Sequence, residues 1–274
     1  MSISAKDVQE LRRRTGAGMM DCKKALQEAN GDMEKAIKLL KEWGIAKASK
    51  KSGREASEGV LIAIISENGK NGALIEVNCE TDFVANTNEY KTFAQQVANT
   101  IFTKGIKEPS ALDTDIQNMV NEGISKFGEN IIINSIKNIS TSGRLFSYIH
   151  TNQKLGTIVA LTGNDLNSPA VEELGKDIAV HITANKVIGI DEKSVDPKLL
   201  EEKRKEFDEE LAKQNKPENM RAKIVEGKIS KFLKEETLYN QPFFKNEEIT
   251  IKQLIEQKAK GVTVEGFIKT TIGE

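Results

Sequence analysis

The stretch "VNCETDFVANTNEY", residues 77–90, places acidic, hydroxyl and aromatic side chains directly after an apolar, alternating segment. The alternation typical of a strand ends at Cys79, and Tyr90 belongs to the helical pattern that follows. Asp82 and Phe83 therefore lie in a connection between two rigid elements, where binding residues are often found. The residues alone leave two interpretations open for Phe83. Its ring either folds back onto the core or is presented to a binding partner.

Few residues of the chain could support covalent catalysis. There are two histidines, and the sequence contains no H-E-x-x-H, C-x-x-C, G-x-S-x-G or G-x-G-x-x-G motif and no Walker A loop. His181 lies in a helical pattern, where we predict a structural role. His150 closes a strand at a polar turn, where it either solvates the turn or belongs to a contact surface. We predict no catalytic residue, no metal site and no cofactor.

Composition restricts the class of partner. The chain has 274 residues, 38% of them hydrophobic and 30% charged, with a net charge of -1, so nothing biases it as a whole toward nucleic acid. No apolar run approaches the roughly 18 residues of a membrane span, and the N-terminus does not resemble a secretory signal. Cys22 and Cys79 form no paired motif. We predict a cytoplasmic protein that contacts neither membrane nor nucleic acid directly.

The first 45 residues predict three short helices. Ser4 can cap the first, "TGAG" at 15–18 interrupts the pattern, and Asp32 can cap a third helix that Gly44 ends. The basic stretch at 46–57 is either a mobile linker or a frayed helix. Beside the interruption, Met19 and Met20 could form an adaptable apolar contact. The alternative is a solvated face with one methionine in the core.

After the basic stretch, the spacing of hydrophobic residues changes to the alternation typical of strands. Asn68-Gly69 predicts a hairpin, followed by helices near 88–102 and 113–127 and a strand near 129–140. A second strand–turn–strand at 144–163 precedes a helix that Ser168 can cap. Gly72 and Gly156 occupy matching places in the two units, which indicates a repeat of hairpin plus helix and two related halves of an α+β core.

Residues 196–236 carry a narrow apolar stripe and dense charge, which predicts an antiparallel two-helix hairpin projecting into solvent. The hairpin could bind RNA through its lysines, but its acids are as numerous, which favours a solvated spacer. The tail predicts a helix and then a short strand or extended segment.

Several stretches resemble the bacterial translation elongation factor Ts family. The two most specific are "ELRRRTGAGMMDCKKALQEANGDMEKAIKLL" at 10–40 and "EVNCETDFVANTNEY" at 76–90. The resemblance continues, in family order, through "FGENI" at 127–131, "SYIH" at 147–150, "DIAVHITA" at 177–184, "KIVEGKISKF" at 223–232 and "LYNQPF" at 238–243.

The resemblance implies an architecture that agrees with these patterns. It implies a UBA-like three-helix domain with its basic linker (1–54), a two-subdomain α+β core (55–141, and 142–195 with 237–248), a protruding antiparallel coiled-coil hairpin (196–236) and a short C-terminal module (249–274).

The resemblance also implies a function. Members exchange guanine nucleotide on elongation factor Tu, so the implied partner is its nucleotide-binding domain. The segment implied to displace the partner's magnesium is Thr81, Asp82, Phe83 and Val84. The implied partner-binding residues are Arg12, Met19, Met20, Gly128 and His150. The alternative is a protein- or RNA-interaction module that is not linked to a GTPase.

Overall fold

A computed structural model of the chain describes residues 3–214 and 217–273, with all their side chains except those of Lys47 and Asn219. The helices in the described ranges are α1 (Ala5–Thr15), α2 (Met19–Glu28), α3 (Met33–Lys51), α4 (Asp82–Ala85), α5 (Asn88–Thr103), α6 (Thr114–Phe127), α7 (Pro169–Ala184), α8 (Pro197–Lys213), α9 (Glu218–Glu236) and α10 (Ile251–Lys258). The strands there are β1 (Glu58–Ile65), β2 (Asn71–Cys79), β3 (Ile132–Ser140), β4 (Arg144–Ile149), β5 (Leu155–Thr162), β6 (Pro242–Phe243), β7 (Asn246–Thr250) and β8 (Thr263–Thr271). The predicted α+β class is confirmed.

The first three helices pack on one another around their own apolar cluster. The Ser4 side chain accepts a hydrogen bond from the Asp7 amide and starts α1. Gly16 ends α1 in the left-handed region, with φ of 68°, and its N–H donates to the Arg12 carbonyl at 2.7 Å. The buried members of the cluster come from all three helices and the turns between them: Val8, Leu11, Ala17, Cys22, Ala25, Leu26, Ala29, Ala36 and Leu40.

The third helix is longer than the sequence predicts. The prediction that it ends at Gly44 is wrong, because α3 continues to Lys51. A Cβ at Gly44 would lie 3.7 Å from the Asn121 carbonyl oxygen and from the Ser125 Cβ, so this glycine lies where α3 approaches α6. Ala48, four residues further on, is buried in the neighbouring core. Packing of α3 on α6 therefore extends the helix through the first half of the basic stretch at 46–57, which is helical there rather than a linker.

Two antiparallel three-stranded sheets form the rest of the core. Their strand orders are β1-β2-β3 and β4-β5-β8. The Asn68-Gly69 turn closes the first hairpin as predicted, with Ile65 paired to Gly72. Gly156 has the equivalent place in the second hairpin, where it pairs with Ile149. The tail forms the helix α10 and the strand β8, and β8 pairs with β5 to complete the second sheet.

The two sheets pack face to face, with helices on their outer sides. The shared apolar layer between the sheets contains Leu61, Leu74, Leu145, Ile158 and Ala160. Helices α5 and α6 cover the first sheet, while α7 and α10 cover the second. This stacking buries residues 72–79 of the central strand β2, so the next connection starts from a strand held inside the core.

Helices α8 and α9 pair with each other. Leu211, Val225 and Ile229 are buried along the seam between them, and Phe207 meets Phe232 edge to face at 6.5 Å. The predicted turn between the two helices includes residues 215 and 216, which lie outside the described ranges.

Candidate functional site

The connection after β2 forms a single helical turn, α4, from Asp82 to Ala85. Thr81 caps this turn, because its hydroxyl oxygen accepts the Val84 N–H at 3.3 Å. The apolar cluster between the first sheet and helices α5 and α6 forms the first core. Val84 packs against it and Ala85 is buried, so one side of α4 is held inward. Asp82 is exposed, and 83% of Phe83 is exposed. Phe83 therefore does not fold back onto the core.

Two buried side chains hold the end of β2, directly before α4. The Cys79 thiol donates to the Thr81 carbonyl at 3.3 Å, and the Tyr90 hydroxyl donates to the Val77 carbonyl at 3.0 Å. Burial raises the pKa of Cys79 to about 11, and it also raises the pKa of Tyr90. Both groups stay protonated near neutral pH, so Cys79 is a structural thiol rather than a reactive one.

The carboxylate of Glu129 holds the chain that enters α4. It accepts the backbone N–H of Glu80 at 3.1 Å and that of Thr81 at 3.0 Å, both through Oε2. Its Oε1 accepts the Thr81 hydroxyl at 2.6 Å. Three donors from two adjacent residues thus converge on a single side chain.

The residues on either side of Glu129 bind the end of the N-terminal helices. Gly128 ends α6 in the left-handed region, with φ of 77°, and its carbonyl accepts a hydrogen bond from the Lys51 ammonium. The buried Asn130 donates its side-chain amide to the Arg54 carbonyl at 2.7 Å and its backbone N–H to Glu80 at 2.6 Å. The segment 128–130 therefore joins the end of α3 to the start of α4.

The turn between β4 and β5 lies against the first sheet near the same region. The Gln153 carbonyl accepts the Leu61 N–H at 2.7 Å, and Lys154 Nζ lies 2.6 Å from Glu58 Oε2. The hydrogen bond with Glu58 raises the pKa of Lys154, and the charge of Asp82 adds to this. His150, in this turn, is half-buried, and its Nδ1 lies 3.4 Å from the Asn152 N–H. The Asn152 N–H therefore donates to His150 within the turn, while the half-buried ring is also partly open to solvent.

The N-terminal candidates lie on α1 and α2. Met19 and Met20 start α2 and are 41% and 74% exposed. Arg12 is exposed on the last turn of α1, and its guanidinium has no ion-pair partner among the described residues. Its neighbours differ, because Arg13 pairs with Glu10 and Arg14 with Glu34. Arg12 is therefore the cation of this group that is open to an external partner.

The structure thus brings Gly128 close to Thr81–Val84 and places the turn of His150 against β1, while Arg12, Met19 and Met20 lie on α1 and α2. Sequence reasoning missed Lys51, Arg54, Glu80, Glu129 and Asn130. Glu129 and Asn130 follow a helix-ending glycine in "FGENI", which is a local signal for them. No local sequence pattern indicates that they contact Glu80 and Thr81, about fifty positions earlier.

His181 is buried in α7, in agreement with the predicted structural role. Its Nε2 lies 2.9 Å from the Gln241 side-chain oxygen, an acceptor, so this nitrogen carries the proton. Burial lowers the pKa of His181 and favours the neutral ring.

The fold and this surface define an α+β protein that presents an exposed aromatic ring beside a carboxylate on a firmly anchored helical turn. The chain belongs to the elongation factor Ts family, because a sequence model described as Elongation factor TS matches residues 80–274. Elongation factor Ts of Methylococcus capsulatus is 42% identical over 282 residues, covering 100% of this chain and 93% of that protein. That of Nitratiruptor sp. is 42% identical over 287 residues, covering 100% and 94%. None of the described helices is both long and apolar enough to cross a membrane.

Proposed function

We propose that this chain is the guanine nucleotide exchange factor of elongation factor Tu. It binds the GDP-bound partner, displaces its magnesium and promotes GDP release, so that GTP can bind. The observation that carries the proposal is the exposed ring of Phe83, held outward beside Asp82 on an anchored helical turn. This turn lies within "EVNCETDFVANTNEY", one of the two stretches that most resemble the family.

Nucleotide exchange requires no covalent step from this chain. Magnesium bridges the nucleotide phosphates and the oxygens of the partner, so it contributes much of the grip on GDP. A factor that binds the nucleotide-free partner more tightly than the nucleotide-bound one weakens nucleotide binding by the same factor. The free energy of binding the factor thus offsets the distortion of the nucleotide site.

The residues divide this work between two surfaces. Phe83 wedges between elements of the partner and shifts the segments that hold magnesium, while Asp82 competes for hydrogen bonds and charge beside it. Thr81 caps the start of the helical turn, and Val84 packs its inner side against the core. Arg12, Met19 and Met20 anchor the factor on the partner's nucleotide-binding domain, and Gly128 and His150 contact the partner from the core.

The same proposal assigns the parts of the chain. Residues 1–54 form the UBA-like domain with its linker, and the core has subdomains at 55–141 and at 142–195 with 237–248. Residues 196–236 form the protruding coiled-coil hairpin, and the C-terminal module at 249–274 supplies the last strand of the second sheet. The factor works in the cytoplasm without direct contact with nucleic acid or membrane.

The direct test is release of a fluorescent GDP analogue from elongation factor Tu, with and without the purified chain. We expect the chain to accelerate release in a saturable way and to co-purify with elongation factor Tu at equal stoichiometry. An unchanged release rate, or co-purification with RNA instead of a GTPase, contradicts exchange and supports an unrelated interaction module.

A further inference from the structure

The helical turn that carries Asp82 and Phe83 is too short to hold its own direction. A helix of four residues has almost no internal stability, so contacts from outside must orient it. Val84 and Ala85 attach its inner side to the core. These apolar contacts set its depth but are not directional, so polar contacts at its start must fix the angle at which Phe83 projects.

Glu129 supplies those directional contacts. Its three acceptor contacts, at 2.6 to 3.1 Å, reach the amides of Glu80 and Thr81 and the hydroxyl of Thr81. Hydrogen bonds to an ionised carboxylate are roughly twice as strong as those between neutral groups. Because Thr81 is also the cap of α4, a shift of Glu129 would turn the first residue of the helix.

The residues on either side of Glu129 are themselves held by hydrogen bonds. Gly128 accepts from Lys51, and Asn130 binds both Arg54 and Glu80. The Arg54 guanidinium also lies 3.4 Å from the Glu80 carboxylate. Glu129 is therefore fixed between the end of the N-terminal helices and the end of β2, and it cannot move freely with α4.

We propose that Glu129 is a positioning residue for nucleotide exchange, whose carboxylate fixes the direction of α4 and thereby the angle at which Phe83 enters the partner. Glu129 acts through Thr81 and touches neither nucleotide nor magnesium. This inference rests on the proposed function and adds to it a residue whose role is distinct from partner contact.

The test compares Glu129→Ala and Glu129→Gln in stopped-flow release of a fluorescent GDP analogue, over a range of factor concentrations. We expect Glu129→Ala to lower the maximal release rate about tenfold, with a change of less than about threefold in the half-saturating concentration, since the N-terminal anchors remain. Glu129→Gln keeps one carbonyl acceptor for the two amides, so its loss should be smaller, about threefold. Glu108→Ala, which removes an exposed glutamate outside this network, should retain the wild-type rate.

A double substitution separates positioning from general destabilisation. If Glu129 acts through the ring of Phe83, adding Glu129→Ala to Phe83→Ala should not lower the maximal GDP release rate further. Hydrogen exchange at the amides of Glu80 and Thr81 should also rise about tenfold in Glu129→Ala, while α5 keeps its protection. Should Glu129→Ala fail to fold, Glu129→Gln carries the same comparisons.

Two results separate failure of this inference from failure of the proposed function. If Phe83→Ala slows release but both Glu129 variants release GDP at the wild-type rate, or if the two losses multiply, the positioning role is overturned and the exchange function stands. If Phe83→Ala itself releases GDP at the wild-type rate, the role of the ring is overturned, and the positioning role with it.

Discussion

Phe83 and Val84 are adjacent in the chain but have opposite environments. Phe83 is 83% exposed, whereas Val84 packs against the first core. The helical turn of α4 produces this contrast, because successive side chains of a helix point about 100° apart. Burial of Val84 therefore directs the ring of Phe83 outward, and this relationship underlies the predictions for exchange.

The N-terminal anchor is tested best by comparing alanine substitutions at two neighbouring arginines, Arg12 and Arg13. Arg12→Ala should weaken binding to nucleotide-free elongation factor Tu about tenfold, because its guanidinium has no ion-pair partner among the described residues and is available to the partner. Arg13→Ala is the matched control, since Arg13 already pairs with Glu10 at 2.7 Å. It should change the dissociation constant less than about twofold. Calorimetric titration measures both, and equal effects of the two substitutions would remove Arg12 from the interface.

These point substitutions are cleaner than removal of residues 1–54. Such a deletion also removes Ala48 from the first core and Lys51 and Arg54 from their contacts with residues 128–130. A loss of affinity after the deletion would therefore mix loss of the anchor with a disturbed α4.

Gly123 is required by close packing inside the first core. A Cβ at this position would lie 2.4 Å from the Phe93 ring, which also packs against Tyr90 and Phe127. Gly123→Ala should therefore lower the free energy of unfolding by about 1–3 kcal/mol in urea titrations. Gly227→Ala, in α9 with open space around it, should raise that free energy by up to about 1 kcal/mol. Similar effects of both substitutions would contradict this packing.

Stability should depend on pH through His181. Burial lowers the pKa of His181 below its usual value of 6.5, so the unfolded chain binds a proton at a pH where the folded chain does not. The free energy of unfolding should therefore be highest above about pH 6.5 and should fall as pH decreases toward 5.

Urea titrations at pH 7.5, 6.5 and 5.5 measure this dependence. His181→Gln should be less stable at pH 7.5, since it disturbs the contact with Gln241, but its pH dependence should be flatter. His150→Gln is the matched control, because it removes the other imidazole from a turn rather than from the core. If the free energy of unfolding of His181→Gln depends on pH as steeply as that of the wild type, His181 is not the source of the dependence.

Local signals predicted most of the elements. The side chains of Ser4, Asp32 and Ser168 cap helices as expected, and Asn68-Gly69 closes the first hairpin. These features depend on contacts within a few residues, which the sequence shows directly. The end of α3 was predicted wrongly because Gly44 has a long-range reason, its approach to α6, that overrides its tendency to end a helix.

The site could be predicted only in part. Strand and helix periodicity placed Asp82 and Phe83 in a connection, but it left the direction of the ring open. That direction depends on Val84 meeting the core and on Glu129 meeting Thr81, which lies 48 positions earlier. Pairings of this kind arise from the stacking of elements, so no local pattern contains them.

The central claim is that the ring of Phe83 drives GDP release. Because the ring is exposed, Phe83→Ala should leave the fold and the melting temperature unchanged. At saturating factor, it should slow release of a fluorescent GDP analogue from elongation factor Tu by about tenfold or more. Met220→Ala, which removes a 54% exposed apolar side chain from α9, is the control and should retain the wild-type rate. Release at the wild-type rate by folded Phe83→Ala would contradict the account.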